Sequence, residues 1–397
     1  MRVAIAFSML ICASAFAQTP AVSSRAELLF YDNTTSTWSD SAFNRIAHVP
    51  DHSLNLELRP DINIEQDAMT AVLRPRVAAR TEPDARHSDA WINEGWLRWR
   101  PIEGTSLQLG REALLWGPAA FWNPSNPFFS ENNKDNAKRE IAGHDFLRAR
   151  WQWHEAWALS LVSQLDRGHT PSGVQRRDAM KLDWTGNEAS AAALLSAEPG
   201  KSAGWQGWAQ WTASDALIIY GESAWQRPAS HAQPYAAMGT TGWQIANTSS
   251  PYELNTVAGA AWTFENNWTL NAEWWRNGNG LTHNEASILS QAVDALSTQA
   301  PGLADAQLAS LIQPTTPLRR HYAGLQLMNG SDAKIGWTLR YKRNLDDRSG
   351  EAFVMIKRDL GDTLQLWGNL MLRHGQHDTE YGRWIRSSAM LGVSWFM

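Results

Sequence analysis

Apolar and polar residues alternate with a period of two along much of the chain, the signature of strands with one face in water. From Leu73 to Arg80, Leu73, Val77 and Ala79 share one face with Pro75, while Arg74, Arg76 and Arg80 take the other. From Leu147 to Trp153, Leu147, Ala149, Trp151 and Trp153 alternate with Arg148, Arg150 and Gln152. Trp337, Leu339 and Tyr341 alternate with Thr338, Arg340 and Lys342. A helix would scatter these arginines around its circumference, whereas a strand gathers them on one side. The pattern predicts strands over 24–31, 52–59, 68–80, 90–100, 105–112, 146–153, 157–165, 179–185 and 188–196. It continues over 204–212, 216–225, 256–264, 268–275, 320–328, 334–343, 351–358, 363–373 and 386–397.

The links between these strands are short at one end and mostly long at the other. Pro101 to Gly104, His154 to Ala156, Gly186-Asn187, Ala213 to Asp215, Glu265 to Asn267, Asn329 to Ala333 and Leu360 to Asp362 are turn-like. Between them fall the links 32–51, 113–145, 226–255, 276–319 and 374–385. Short periplasmic turns alternating with longer external loops are the habit of outer-membrane barrels. The expected fold is therefore all-β: a transmembrane, antiparallel, up-and-down barrel of 18 strands, with 16 as the alternative because residues 52–67 read as one strand or two. No stretch approaches 18 uninterrupted apolar residues, so helical spans are excluded by length.

The ends agree. Met1-Arg2, the apolar run Val3 to Ala13 and the small-x-small site Ala15-Phe16-Ala17 predict a cleaved signal over 1–17, leaving 18–397 as a single barrel domain. Cleavage removes Cys12, the only cysteine, so no disulfide is expected. At the other end Ala389, Leu391, Val393, Trp395 and Met397 are apolar at alternate positions, with Phe396 beside them. This resembles the closing-strand signature by which the barrel assembly machinery recognises its clients, although Met397 replaces the usual terminal aromatic. The resemblance implies that machinery as a partner and the bacterial outer membrane, with its lipids, as the location. Negative mean hydropathy is compatible with this, because lumen residues offset lipid-facing ones. The 23 tryptophans favour it further, since indoles prefer the headgroup level.

Two segments break the alternation. In the 276–319 loop, Ile288, Leu289, Ala292, Val293 and Leu296 have helical spacing, and Pro301-Gly302 interrupts the run, so two short helices are expected between Glu285 and Leu311. In the 113–145 loop, the strand carrying Gly110 and Arg111 ends in Trp116-Gly117-Pro118 and continues through Asn123-Pro124 and Asn126-Pro127, where each proline fixes a backbone angle and removes a donor. The Gly-Arg, Trp-Gly and Asn-Pro run resembles the corresponding region of porin-like and exopolysaccharide-export-type barrels, and the whole chain looks similar to 18-stranded substrate-selective porins. That likeness covers about 20 residues at motif level. It supports the class and leaves the cargo open.

Candidate chemistry lies in the strands' polar faces. No phosphate loop, dinucleotide fingerprint or zinc-protease spacing occurs, and no cofactor or metal is expected. His144-Asp145 and the group His374, His377 and Asp378 are the nearest approach to reactive or metal-binding sets, and a solvated loop explains the latter as well. The net charge of −5 gives no reason to expect a nucleic-acid partner. Arg74, Arg76, Arg80, Arg98, Arg148, Arg150 and Arg340 are expected to face a wet lumen, with Glu57, Glu94, Glu112 and Glu273 as acidic neighbours. Two outcomes are open for the arginines. Unpaired, they make an anion-favouring pore in which the fields of Arg74, Arg76, Arg148 and Arg150 add; paired, they brace the wall. The expected function is passive passage of small hydrophilic solutes, anionic or sugar-like, rather than catalysis. Exopolysaccharide export and a barrel-borne hydrolase or adhesin are the alternatives, and the oligomeric state is open.

Overall fold

The computed structural model describes residues 20–41, 44, 49–129, 138–166, 168–169, 176–199, 202–227, 231–237, 240–246, 252–296, 317–330 and 333–397. The expected signal at 1–17 and the second loop helix lie outside the described residues. The first strands are β1 (Ala21–Thr37), β2 (His52–Gln66), β3 (Met69–Thr81), β4 (Arg86–Trp99), β5 (Thr105–Glu112), β6 (His144–His154) and β7 (Trp157–Asp166). Then follow β8 (Asp178–Thr185), β9 (Ala189–Ala197), β10 (Gly204–Ser214), β11 (Leu217–Gln226), β12 (His231–Ala237), β13 (Thr240–Ala246) and β14 (Glu253–Thr263). The chain continues with β15 (Thr269–Arg276), α1 (His283–Leu296), β16 (His321–Met328), β17 (Ile335–Asn344), β18 (Gly350–Leu360), β19 (Leu364–His374) and β20 (Ile385–Phe396).

Eighteen of these strands form one antiparallel sheet in which each pairs with its neighbours along the chain, and β20 pairs back onto β1 to close the ring. Closure leaves no unpaired edge, the condition for strands to cross a bilayer. Residues 52–66 are a single strand, which decides the count at 18. Two details differ from the sequence reading. β1 runs on to Thr37, through a stretch where both faces are polar and the alternation fails. The 226–255 link also contains the hairpin β12–β13, which stands as a separate two-stranded sheet.

The alternation is realised as lipid-facing and lumen-facing sides. Leu56, Leu73, Val77, Leu109, Leu147, Leu161, Leu325, Ile356 and Leu391 lie exposed on the outer face. In a water-soluble protein such a surface would be covered, whereas an apolar outer band is what a membrane-spanning barrel presents. Trp99, Trp151, Trp153, Trp157, Trp211, Trp262 and Trp395 ring the outer face beside the short turns, while Trp205, Trp225 and Trp274 sit near the long links. These are girdles at the two membrane surfaces, where an indole has its ring in hydrocarbon and its N–H near water. α1 starts with a capping box: the Glu285 N–H donates to Thr282 Oγ1 and the Thr282 N–H donates to Glu285 Oε2.

Candidate functional site

The described parts of the 113–143 link, residues 113–129 and 138–143, pack against the inner walls of the barrel instead of projecting from the rim. Two buried aromatic clusters hold it on different walls. Leu114, Phe128 and Phe129 pack with Phe146, Val162 and Ala179 of β6, β7 and β8. Ala119 and Trp122 pack with Tyr220, Val257, Trp275 and Tyr322 of β11, β14, β15 and β16. Each fully buried aromatic contributes about 1.5–3 kcal/mol. The loop thus spans the lumen from one wall to the other.

Its polar backbone is satisfied by two carboxylates on the second wall. Glu222 on β11 accepts from the Ala119 N–H (2.8 Å), Asn123 Nδ2 (3.0 Å), the Ser125 N–H (3.3 Å) and Ser125 Oγ (2.7 Å). Glu273 on β15 accepts from the Ala120 N–H, the Phe121 N–H (3.1 Å) and the Tyr220 hydroxyl (2.7 Å). Arg340 on β17 donates to the Ala120 carbonyl (2.9 Å), and its guanidinium lies 4.3 Å from the centre of the Phe121 ring. Phe121 stacks in turn on Trp275, with centroids 5.4 Å apart.

The Trp-Gly-Pro and Asn-Pro residues build the turn that presents these donors. Gly117 has φ +90°, and a Cβ there would stand 2.4 Å from Glu222 Oε1 and 2.8 Å from Asn123 Nδ2, so only glycine admits the clamp. Asn123 Nδ2 also donates to the Trp116 carbonyl (3.0 Å). Asn126 donates to the Leu114 carbonyl (2.7 Å), and its Oδ1 accepts from the Phe128 and Phe129 N–H groups (3.0 and 3.1 Å). Pro124 is buried in the turn, Pro118 sets its start, and the Pro127 carbonyl accepts from Arg177 (2.5 Å). The Trp116 ring lies 5.2 Å from Lys181 Nζ. The returning limb is held by ion pairs: Glu140 with Arg76 (2.6 Å) on β3, and Lys138 with Glu27 (2.8 Å) on β1, Lys138 also donating to Ser394 (2.9 Å) on β20.

The arginines divide between two roles. Arg74, Arg76, Arg80, Arg98, Arg148, Arg150 and Arg340 lie on the side of their strands opposite the exposed apolar residues. Arg76 is buried, however, pairing with Asp61 (3.0 Å) as well as Glu140, and Arg340 is buried under the loop. Arg74 pairs with Glu94 (2.7 Å) and Arg80 with Glu82 (2.7 Å). The summed field expected from Arg74 and Arg76 is thus cancelled by their partners. Arg111, by contrast, sits on the outward side at the top of β5 and pairs with Asp145 (2.8 Å).

The wall formed by β4, β5, β6 and β8 is different. Arg98 and Arg148 both donate to Gln108 Oε1 (2.8 Å each), Arg148 lies 3.2 Å from Glu112, and Arg150 and Lys181 share Asp183. Among the described residues, Arg98, Arg148, Arg150 and Lys181 face only Glu112 and Asp183 as ion-pair partners. Sequence reading missed Glu222, Lys181 and Asp183, although all three hold inward places in their strands. His144 is buried against Phe129 with its Nδ1 on Gln164 (3.1 Å), and His374 meets the Tyr341 hydroxyl (2.9 Å). No cluster of three metal-binding side chains occurs among the described residues.

Solved structures with the same course are outer-membrane porins. OccK7 (OpdD) of Pseudomonas aeruginosa is 10% identical with a TM-score of 0.56, over 96% of this chain and 99% of that one. OccAB1 of Acinetobacter baumannii is 12% identical with a TM-score of 0.56, over 94% and 97%. OprD of P. aeruginosa is 10% identical with a TM-score of 0.53, over 94% and 95%. The fold is that of a porin-like outer-membrane barrel. At these identities the likeness is one of fold, and no protein-family model or curated protein matches the chain. The comparison therefore supports the barrel fold, while the inward loop and the uneven wall charge stand on the geometry alone.

Proposed function

We propose that the barrel is a passive channel for small hydrophilic solutes, narrowed by the 113–143 loop and biased toward anions by the wall carrying Arg98, Arg148, Arg150 and Lys181. The observation that carries this reading is the imbalance on that wall, four cations against Glu112 and Asp183, beside a loop that narrows the lumen. An 18-stranded ring encloses a lumen wide enough for water, so the loop decides what passes. Arg148 and Arg150 are two places apart on β6, which puts them roughly 6–7 Å from one another, inside the Debye length of about 10 Å at 0.1 M salt. Their fields add at that spacing, and guanidinium groups match carboxylate geometry.

Reconstitution into a planar bilayer tests both parts. Stepwise conductance is expected, with a reversal potential in a low-salt gradient that favours anions and shrinks as salt rises. A folded protein that never conducts removes the channel, and a conducting one that prefers cations removes the anion bias alone.

A further inference from the structure

Beside the returning limb of the loop is a cavity of about 520 Å³, bounded by β1, β2, β4, β19, β20 and residues 138–142. It lies apart from the cationic wall: on β4 it begins at Trp91, in register with Arg76, whereas Arg98 is in register with Thr70, close to the periplasmic turn. A solute entering from outside meets the cavity first.

The lining combines flat rings with matched charges. Trp91 and His169 stack 4.9 Å apart with 9° between their planes, and Tyr31 leans on Trp367 at 5.6 Å. Around these rings Glu57, Arg59, Lys138 and Glu140 are held in ion pairs, and Arg139 also lines the cavity. Glu57 accepts from the Tyr31 hydroxyl (2.9 Å) and pairs with Arg59, Glu140 pairs with Arg76, and Lys138 pairs with Glu27. Asn93 adds an amide.

Glu57, Arg59, Lys138 and Glu140 offer a charged solute little net counter-charge, because each is already paired. An aliphatic ring with C–H groups on its faces and hydroxyls at its edge finds both of its needs met. The C–H face lies against aromatic faces, whose quadrupole is negative. The hydroxyls donate to the free lone pairs of Glu57 and Glu140 and accept from Arg59 and Asn93, carboxylates and guanidinium groups having capacity beyond their mutual bonds. The volume is within the range of about 300–1,000 Å³ of small-molecule clefts.

We propose that this cavity is a subsite for a neutral saccharide, a mono- or disaccharide in the pyranose form, with the stacked rings of Trp91 and His169 as its platform. The inference rests on the channel reading, because the lumen is the solute's route to the cavity. Two measurements keep the two ideas separable. Saturation-transfer NMR on the folded protein in detergent, with glucose and sucrose as probes, reads binding whether or not the protein conducts. Transfer to the sugar ring protons is expected, with affinity falling about tenfold in Trp91→Ala and recovering in Trp91→Phe.

In bilayers, the same sugars should interrupt the ion current, with the half-blocking concentration raised by a similar factor in Trp91→Ala. If that variant does not fold, as judged by heat-modifiable gel mobility, His169→Ala removes the exposed ring of the stack and is expected to weaken binding in the same direction. Absence of transfer to either sugar overturns the proposal even if the channel conducts. So does transfer that neither substitution reduces, or benzoate displacing the sugar at far lower concentration, which would make the cavity a site for aromatic acids. A channel that fails to conduct while sugar transfer is intact overturns the transport reading only.

Discussion

Two walls of one lumen carry inward charges that do opposite things. On β11 and β15, Glu222 and Glu273 are buried and fully occupied by the N–H and O–H groups of the 113–143 loop and of Tyr220. On β4 and β6, Arg98, Arg148 and Arg150 remain partly open to the lumen and outnumber the acids near them. Both sets obey the same alternation, so facing inward does not fix what a charge does. What fixes it is the partner. A carboxylate that meets backbone donors becomes a structural clamp, because buried donors are costly to leave unpaired, at about 1–3 kcal/mol each. A guanidinium whose nearest neighbours include a second guanidinium keeps capacity for a passing solute.

The sharpest way to break the comparison is to empty the clamp. In Glu222→Ala four donors lose their acceptor and the apolar clusters alone hold the loop. Single-channel conductance should rise about twofold or more, and the loop should become a site of protease cleavage, while the closed strand ladder keeps the barrel folded. Unchanged conductance with an uncleaved loop would show that the aromatic clusters suffice. Gly117→Ala is expected to act in the same direction through another route, since the added methyl group collides with the Glu222 carboxylate that the turn approaches.

A smaller effect is expected on the cationic wall. The double change Arg148→Gln and Arg150→Gln should lower the anion-to-cation permeability ratio by roughly two- to threefold at 0.1 M salt and hardly at all at 1 M, where screening falls to about 3 Å. Lumen substitutions tune selectivity more than stability, so gel mobility should be unaffected. A reversal potential that does not move at low salt would leave these arginines as wall bracing. The parallel change Arg76→Gln, made where the arginine is a clamp, should alter conductance rather than charge preference, because its charge is already cancelled by Asp61 and Glu140.

How much of this the sequence makes legible depends on where alternation is physically enforced. Within the bilayer, lipid on one side and water on the other impose a period of two, and the inward places of Arg74, Arg76, Arg148, Arg150 and Arg340 follow from it. Beyond the membrane the constraint lapses, which is why the polar end of β1 and the hairpin β12–β13 left no pattern. The division of the arginines into buried clamps and lumen-open cations is illegible for another reason. The partner of Arg76 is Glu140, on a loop 64 residues away, and nothing local marks that pairing. The glycine and asparagines of the loop turn were visible as a stiff segment, but its inward course depends on Glu222 and Glu273, each on a distant strand.

The smallest expected effect is one of pH, at the β17–β18 link. Burial disfavours the charged form of Asp346, yet hydrogen bonds from the His321 ring and from the His321 and Arg320 N–H groups outweigh it, so this carboxyl sits below its ordinary value of 3.8. A lowered value means that the stabilisation is present in full above the ordinary value and is lost as pH falls through the folded one. Acid should therefore loosen this link, and Asp346→Asn should flatten the response when thermal unfolding is followed below pH 4. An acid dependence that survives the substitution would assign it to other carboxylates.

Lys138 has a consequence for the order of assembly. Its ammonium holds Glu27 of the first strand and Ser394 of the last, two residues apart in register on either side of the line where the cylinder shuts, since Ser394 pairs with Leu29. A bond that needs both partners cannot form while the ends of the chain are apart. The returning limb of the loop is therefore a stitch made last, seated only in a molecule whose two terminal strands have already found each other.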